Sequence, residues 1–387
     1  LAASTFLCGA AGAQEIKVGI VVGFTGPIES LAQGMAESAE LALKEVNDSG
    51  IFLDGETLVP VRADSTCVDA SAATASAERL VTADNVAAIV GADCSGVTIA
   101  VANNVAVPNG VTMVSPAATS PALADLEDNG HFFRTVPSDA RQGEVLADIL
   151  VSHEIDSVAV TYTNNDYGNG LADSLIAAFE ERGGTVTLSA PHEDGRGDYS
   201  AEVGALAAAG GDSLVVLGYA DQGGLGIVRG AIDTGAFTNF VFADGMYSET
   251  LLEAFGSDLD GSLGTLPWSE GEGADAFVAT VEAAGLDADG AFRRESYDAA
   301  ALIALAMQAA GSSDRAAIRD HLLDVANGPG EQILPGDLAR GLEILKEGGE
   351  IDYVGATNVE LNDSGEAAGT YREYIIEGGA FETVKFH

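Results

Sequence analysis

From Ile16 onward the chain repeats one rhythm: a short β-branched run, a turn, an amphipathic stretch with helical periodicity, then another β-branched run. Ile16 to Val22 (IKVGIVV) predicts a buried strand. Glu37 to Val46 predicts a helix with Ala39, Ala42, Leu43 and Val46 on one face and Gly50 just past its end. Strands follow at Leu58 to Ala63, Val86 to Val90 and Val111 to Val114, separated by helices at Ser71 to Thr82 and Thr98 to Asn104. After Arg134 the rhythm restarts. Helices at Asp139 to Ser152, Gly170 to Arg182, Ser200 to Ala209 and Leu225 to Thr234 alternate with strands at Ser157 to Thr161, Thr185 to Ser189, Ser213 to Leu217 and Phe240 to Ala243. Such a series folds into parallel sheets wrapped by helices. Two α/β units of similar size follow one another, without a clear sequence repeat, and 387 residues suit two domains.

The remaining third reads as helix, including Tyr297 to Ala310 and Asp314 to Val325. A tail from Tyr353 to Phe386 reads as strands joined by Gly-rich turns at Asn362 to Gly365 and Glu377 to Gly379. That segment has too little core to fold alone and must pack on the earlier units. Several crossings between two lobes make a hinge and a cleft, where small ligands bind.

Composition excludes several functions. The formal charge is −43, from 17 basic and 60 acidic residues, so phosphate backbones repel the chain and nucleic acid is excluded as a partner. The acidity fits a saline habitat or simply a solvated surface. Hydrophobic residues make up 47% in short runs, none near the roughly 20 that span a bilayer. Leu1 to Ala13 (LAASTFLCGAAGA) is apolar and ends in Ala11-Gly12-Ala13, so residues 1–13 read as the end of a signal peptide cleaved before Gln14. Lipidation at Cys8 is disfavoured, because Thr5-Phe6-Leu7 lacks the small residues that a lipid-attachment site needs. Cys67 and Cys94 then remain; in an exported chain the pair points to a disulfide, the alternative being two free buried thiols.

No catalytic set is visible. His131, His153, His192, His321 and His387 form no pair at helical spacing, so no metal is expected. There is no G-x-S-x-G elbow. None of Lys17, Lys44, Lys346 and Lys385 follows a glycine, as a P-loop requires. Gly19, Gly23 and Gly26 miss the dinucleotide spacing and precede Pro27. The expectation is a binding protein, neither an enzyme nor a user of cofactors.

Six local motifs in register, from about Gln14 to at least Ala310, carry a resemblance. They are IKVGIVVGFTGPIESLAQG from Ile16, Gly91-Ala92-Asp93-Cys94-Ser95, Ser115 to Pro121 (SPAATSP), Asn165-Asp166-Tyr167-Gly168, Leu217-Gly218-Tyr219 and Ala243-Asp244-Gly245, with Asp198-Tyr199-Ser200 besides. In these the chain resembles the periplasmic leucine/isoleucine/valine-binding proteins, the receptors of branched-chain amino acid ABC transporters. The resemblance implies an α/β, type I periplasmic-binding fold: two Rossmann-like lobes with mainly parallel sheets and a three-segment hinge. It implies an N-terminal lobe of residues 14–136 plus 267–352 and a C-terminal lobe of 137–266 plus 353–387. It also implies a Cys67–Cys94 bridge, a periplasmic location, a monomer, and permease subunits in the inner membrane as partners.

The implied ligand set is Ser95, Ala117, Thr119, Tyr167, Tyr219 and Asp244. Alone, Ser95 and Thr119 read as helix caps, Tyr167 as a turn aromatic, and Asp244-Gly245 as an ordinary turn. Together they sit at the carboxyl ends of predicted strands, where α/β folds bind ligands. Hydroxyls of Ser95 and Thr119 and backbone N–H groups suit an amino acid carboxylate. Asp244 and a carbonyl near Ala117 suit its ammonium, with Tyr167 closing over the polar end. Two departures bear on the ligand: Tyr219-Ala220-Asp221-Gln222 replaces a tyrosine-rich stretch, and Gly96 stands where a hydroxyl residue is common. The apolar side-chain pocket is expected near Leu31, Tyr219 and Tyr247. Same-fold receptors for aromatic acids or amides, and ligand-sensing proteins, are the alternatives.

Overall fold

The computed structural model describes residues 14–387; the expected signal segment 1–13, with Cys8, lies outside the described residues. The first layered unit runs β1 (Glu15–Val22), α1 (Glu29–Asp48), β2 (Thr57–Asp64), α2 (Ala70–Thr82), β3 (Ala88–Gly91), α3 (Ser95–Val101), β4 (Thr112–Ser115) and β5 (Phe132–Arg134). Its five strands are all parallel, in the order β2-β1-β3-β4-β5. The central strands β3 and β4 are buried on both faces, which is why they read as continuous apolar runs.

The second unit runs α4 (Asp139–Ser152), β6 (Ser157–Thr163), α5 (Asp166–Glu181), β7 (Thr185–His192), α6 (Ser200–Ala209), β8 (Ser213–Leu217), α7 (Gly223–Thr234), β9 (Phe240–Phe242), α8 (Glu249–Phe255) and β10 (Leu263–Pro267). The chain then forms α9 (Glu272–Ala283), α10 (Arg293–Ala310), α11 (Arg315–Ala326), β11 (Glu331–Ile333), α12 (Leu338–Lys346) and β12 (Ile351–Tyr353), and ends in the hairpin β13 (Tyr371–Glu377) and β14 (Ala380–Phe386). The second sheet is ordered β14-β13-β10-β9-β8-β6-β7, with β13 antiparallel to β10 and β14 antiparallel to β13. The five parallel strands of each sheet share one topology, so each sheet reverses direction beside its first strand and opens a crevice at its carboxyl edge.

Three chain passages join the two sheets: β5 to α4, β10 to α9, and β12 to β13. α10 packs against α1, α11, α12, β3 and β4, so the third segment completes the first unit, while the final hairpin extends the second sheet. Asp298 of α10 holds the third passage. Its carboxylate accepts from Tyr353 Oη at 2.8 Å, Ala356 N at 2.8 Å, Thr357 N at 2.9 Å and Thr357 Oγ1 at 2.7 Å, and burial pushes it up to about 6. Gly355, at φ 62°, lies so close that any Cβ would strike this carboxylate.

Elements with clean periodicity and caps match expectation. α4 begins after Ser138, whose hydroxyl accepts from Ala140 N at 3.3 Å, and α2 begins after Asp69, whose carboxylate accepts from Ser71 N at 2.9 Å. α1 differs: it starts at Glu29, eight residues before the expected Glu37, through Gly34 and several alanines. Tertiary packing overrides the weak local signal, since Ala32, Gly34, Met35 and Ala36 are buried and the Arg293 guanidinium lies over Gly34. α5 likewise starts at Asp166 rather than Gly170, capped by Asn165, which accepts from Gly168 N at 3.0 Å. The short strands β5 and β10 and helix α8 carry too few residues to be expected from sequence, whereas α9 and α12 fall within the stretch read as helical without individual bounds.

Cys67 and Cys94 form a disulfide, with Cα atoms 5.1 Å apart and a sequence separation of 27. It ties the loop after β2 to the loop after β3. Closing that loop stabilises by about 3 kcal/mol in the chain-entropy model. Replacing both cysteines by serine should lower the unfolding free energy by that amount in urea titration; an unchanged midpoint would show that the bridge adds nothing.

Candidate functional site

The carboxyl edges of the two sheets face each other, and the residues singled out from sequence meet between them. After β3, Asp93 is buried and organises the first loop. It accepts from Ser65 Oγ at 2.7 Å, from Cys94 N at 2.9 Å and from Gly23 N, so one carboxylate pins the loops after β1, β2 and β3. Burial raises the pKa of its carboxyl above the usual carboxylate range, and these hydrogen bonds oppose the shift. Ser95 begins α3, and its Oγ accepts from Ser120 N at 3.1 Å, which joins the loops after β3 and β4. Ser115 Oγ strengthens that joint by donating to Ala92 O at 2.5 Å.

From the second sheet, Tyr167 in the first turn of α5 donates to Asp244 Oδ1 at 2.6 Å. Its ring stacks on Tyr219, with centroids 5.3 Å apart, and Tyr219 Oη accepts from Asn165 Nδ2 at 3.2 Å. Asp244 opens the short turn Asp244–Met246 after β9. Gly245 permits the close fit there, because a Cβ would lie 3.2 Å from both Tyr167 Oη and Tyr219 Cδ1 and overlap Gly218 O. Burial raises the Asp244 carboxyl above its ordinary range, and the bond from Tyr167 works against that rise. Burial also raises the Tyr167 phenol, reinforced by the neighbouring negative charge of Asp244.

A cavity of about 20 Å³ lies between the sheets, lined by Ile28, Leu31, Phe292, Asp93, Cys94, Ser95, Ala117, Tyr167, Tyr219, Asp244 and Gly245. That is room for about one water. Five of the six sequence candidates line it; Thr119 does not. Thr119 is buried beside it, with its carbonyl accepting from Asp139 N at 2.8 Å. Tyr247, expected at the apolar pocket, lies elsewhere: it stacks on Phe381 at 4.1 Å and bonds Arg372 at 2.9 Å. Phe292 takes the wall position expected of Tyr247. Residues missed from sequence include Ile28, Phe292 and Gly245; Asp93 stood inside a quoted motif but carried no assigned role. Only Gly245 had a readable signal, as the partner of Asp244 in a turn.

Direct bonds cross the cleft at its mouth. Asp221 of the second sheet accepts from Ser30 N at 2.8 Å, so it caps the N-terminus of α1 from the opposite lobe. Ser30 Oγ and Ser248 Oγ lie 3.0 Å apart, and Asp221 N donates to Pro27 O at 3.2 Å. Among the described residues no group of three or more His, Cys, Asp or Glu side chains could hold a metal ion. No helix there is long and apolar enough to cross a membrane.

Comparison with known proteins follows this geometry. The family model for periplasmic binding proteins matches residues 15–330. The chain belongs to the periplasmic binding protein family. It is similar to Leu/Ile/Val-binding protein homolog 1 of Brucella melitensis, 32% identical over 329 residues, which covers 84% of this chain and 86% of that one. Among solved structures it is similar to a leucine-binding protein of Thermotoga maritima, with TM-score 0.80, 23% identity, and 96% and 98% of the two chains covered. A branched-chain amino acid binding protein of Streptococcus pneumoniae in complex with isoleucine matches with TM-score 0.78 at 22% identity, covering 96% of this chain and 99% of that one. These likenesses establish the type I fold of this periplasmic binding protein: two mainly parallel α/β lobes joined by three passages.

Glu295, in the first turn of α10, is buried close enough to Asp244 to feel its charge, and burial pushes it up to about 8. Its folded value lies above its ordinary 4.5, so its contribution to stability is full below about 4.5 and is lost as pH rises to about 8. Glu295→Gln should therefore gain stability relative to the parent across that window, by at most about 5 kcal/mol. Melting temperatures of both proteins against pH would check this, and parallel curves would overturn it.

Proposed function

We propose that this protein is an extracytoplasmic receptor that captures an aliphatic α-amino acid between its lobes and presents it to an ABC transporter permease in the inner membrane. One observation carries the reading: the cavity joins a buried carboxylate without a cation, Asp244, to an apolar wall of Ile28, Leu31 and Phe292. A zwitterion with a hydrocarbon side chain complements both. Its ammonium meets Asp244 and the Ala117 carbonyl. Its carboxylate meets the Ser95 hydroxyl and the N–H groups beside it. Tyr167 and Tyr219 close over the polar end, and Thr119 supports the loop that carries Ala117. The names of the Brucella and Thermotoga relatives agree with that ligand class.

An amino acid needs far more room than about 20 Å³, so capture requires the lobes to part. The lobes comprise residues 14–136 plus 267–352 and 137–266 plus 353–387, and the hinge comprises their three junctions. Few bonds cross the cleft outside the hinge, and the ligand itself supplies the remaining contacts that favour closure. The receptor acts as a monomer in the periplasm, after cleavage of its signal segment, and releases its ligand unchanged.

A thermal-shift screen against the common amino acids and small aromatic acids tests the proposal. Leucine, isoleucine or valine at about 100 times its dissociation constant should add about 2.7 kcal/mol of apparent stability. Asp244→Ala should abolish that shift while keeping the fold, because the ammonium would enter a dry site without its counter-charge. A shift only with an aromatic acid would sink the ammonium assignment and favour an aromatic-acid receptor.

A further inference from the structure

Beside Asp244 lies a second acid that the reading above does not use. Asp139, the first residue of α4, is fully buried, and its Oδ2 makes no full hydrogen bond among the described residues, although the Thr119 hydroxyl lies near enough to favour its charged form. Gln142, three residues on, links the two acids. In the amide orientation that satisfies both its ends, its nitrogen donates to Asp139 Oδ1 at 2.8 Å. Its oxygen then accepts from Asp244 N at 3.3 Å and from Thr265 Oγ1 at 2.9 Å. Asp139 also stands beside all three passages between the lobes: its own follows β5, Thr265 belongs to β10, and Tyr371 opens β13.

Two adjacent carboxylates in a dry interior cannot both ionise without a counter-charge. The groups around this pair supply little. Arg134 of β5 is the cation that acts on Asp139, but its guanidinium is committed to Ala118 O at 3.2 Å, Ser120 O at 3.0 Å and the Glu366 carboxylate. Tyr167 bonds Asp244, while Tyr219, Tyr371, Tyr374 and Glu295 face the pair as phenols or as a further acid. Arg141 and Arg372 reach only the outer tyrosines, and they are held by Glu144 at 2.9 Å and Tyr247 at 2.9 Å. Burial raises both acids, and the charge of Asp244 raises Asp139 further.

We propose that Asp139 and Asp244 share one proton in the free receptor and that the ammonium of the captured amino acid displaces it. Asp139 is thus a positioning residue for ammonium recognition, an inference that rests on the amino acid reading above. The exchange balances: one ammonium enters, one proton leaves to solvent, and the pair ends as two carboxylates facing one cation and the strands of the hinge. Ligand affinity then falls as pH drops through the step at which the free pair takes up its proton.

Calorimetric titration with leucine in buffers of different ionisation heat measures the protons released. The parent should release up to about one proton per ligand at a pH above the ordinary carboxylate range, where burial has moved the pair's uptake step. Asp139→Asn, nearly isosteric, should still bind leucine but release close to none. Equal release by parent and variant would overturn the proposal and assign the proton elsewhere, for example to Glu295. No release by the parent, with binding still lost in Asp244→Asn, would overturn the shared proton and leave the ammonium site standing. Undiminished binding by Asp244→Asn would instead overturn the amino acid reading itself.

Discussion

Asp244 is a carboxylate held out of water without a cation beside it, and the local structure is arranged around that cost. Tyr167 donates to it, Gln142 links its backbone to Asp139, and Gly245 lets the tyrosine rings approach. Arg134, the cation that acts on the neighbouring Asp139, is bound to carbonyls and Glu366 instead. A positive group arriving in the cleft therefore meets charge that the protein has left uncompensated. In a low-dielectric interior such an interaction is far stronger than at the surface.

The other buried acids do structural work. Asp93 binds together the three loops that form the floor of the first lobe, with the Cys67–Cys94 bridge beside it. Asp298 accepts four hydrogen bonds and fixes the third passage between lobes. Loops pinned within each lobe leave the hinge and the interlobe contacts as the adjustable part. Their hydrogen bonds centre on Ser30, Asp221 and Ser248, and α5 also packs against α3 and the Pro121–Asp125 turn across the cleft. A motion confined to them leaves each sheet and its loops intact, so a ligand can be enclosed without rebuilding either half.

Much of this was legible before any coordinates. The alternation of β-branched runs with amphipathic helices located nearly every strand of both sheets, because buried parallel strands must be apolar on both faces. Periodicity placed the starts of α2 and α4 to within a residue, and in the structure Asp69 and Ser138 cap them. Local signals failed where packing decides: the first two turns of α1 are built on Gly34 and alanines and become helical under Arg293, and β5 and β10 are too short to show a period. Asp221 stood in the sequence as a departure from pattern, and in the structure it caps a helix of the other lobe.

The sequence by itself determined the parallel α/β class, the cysteine pair, and the loops that bear Ser95, Ala117, Tyr167, Tyr219 and Asp244, since each of these follows from short-range pattern or a local motif. Only the tertiary structure decided that Thr119 stands off the cavity, that Phe292 and Ile28 form its wall in place of Tyr247, and that Asp139, with one carboxylate oxygen unpartnered, lies beside Asp244. The physical reason is that burial and charge pairing are relations between residues far apart in the chain. Residue 139 and residue 244 carry no local sign of each other until three passages bring their strands' ends together.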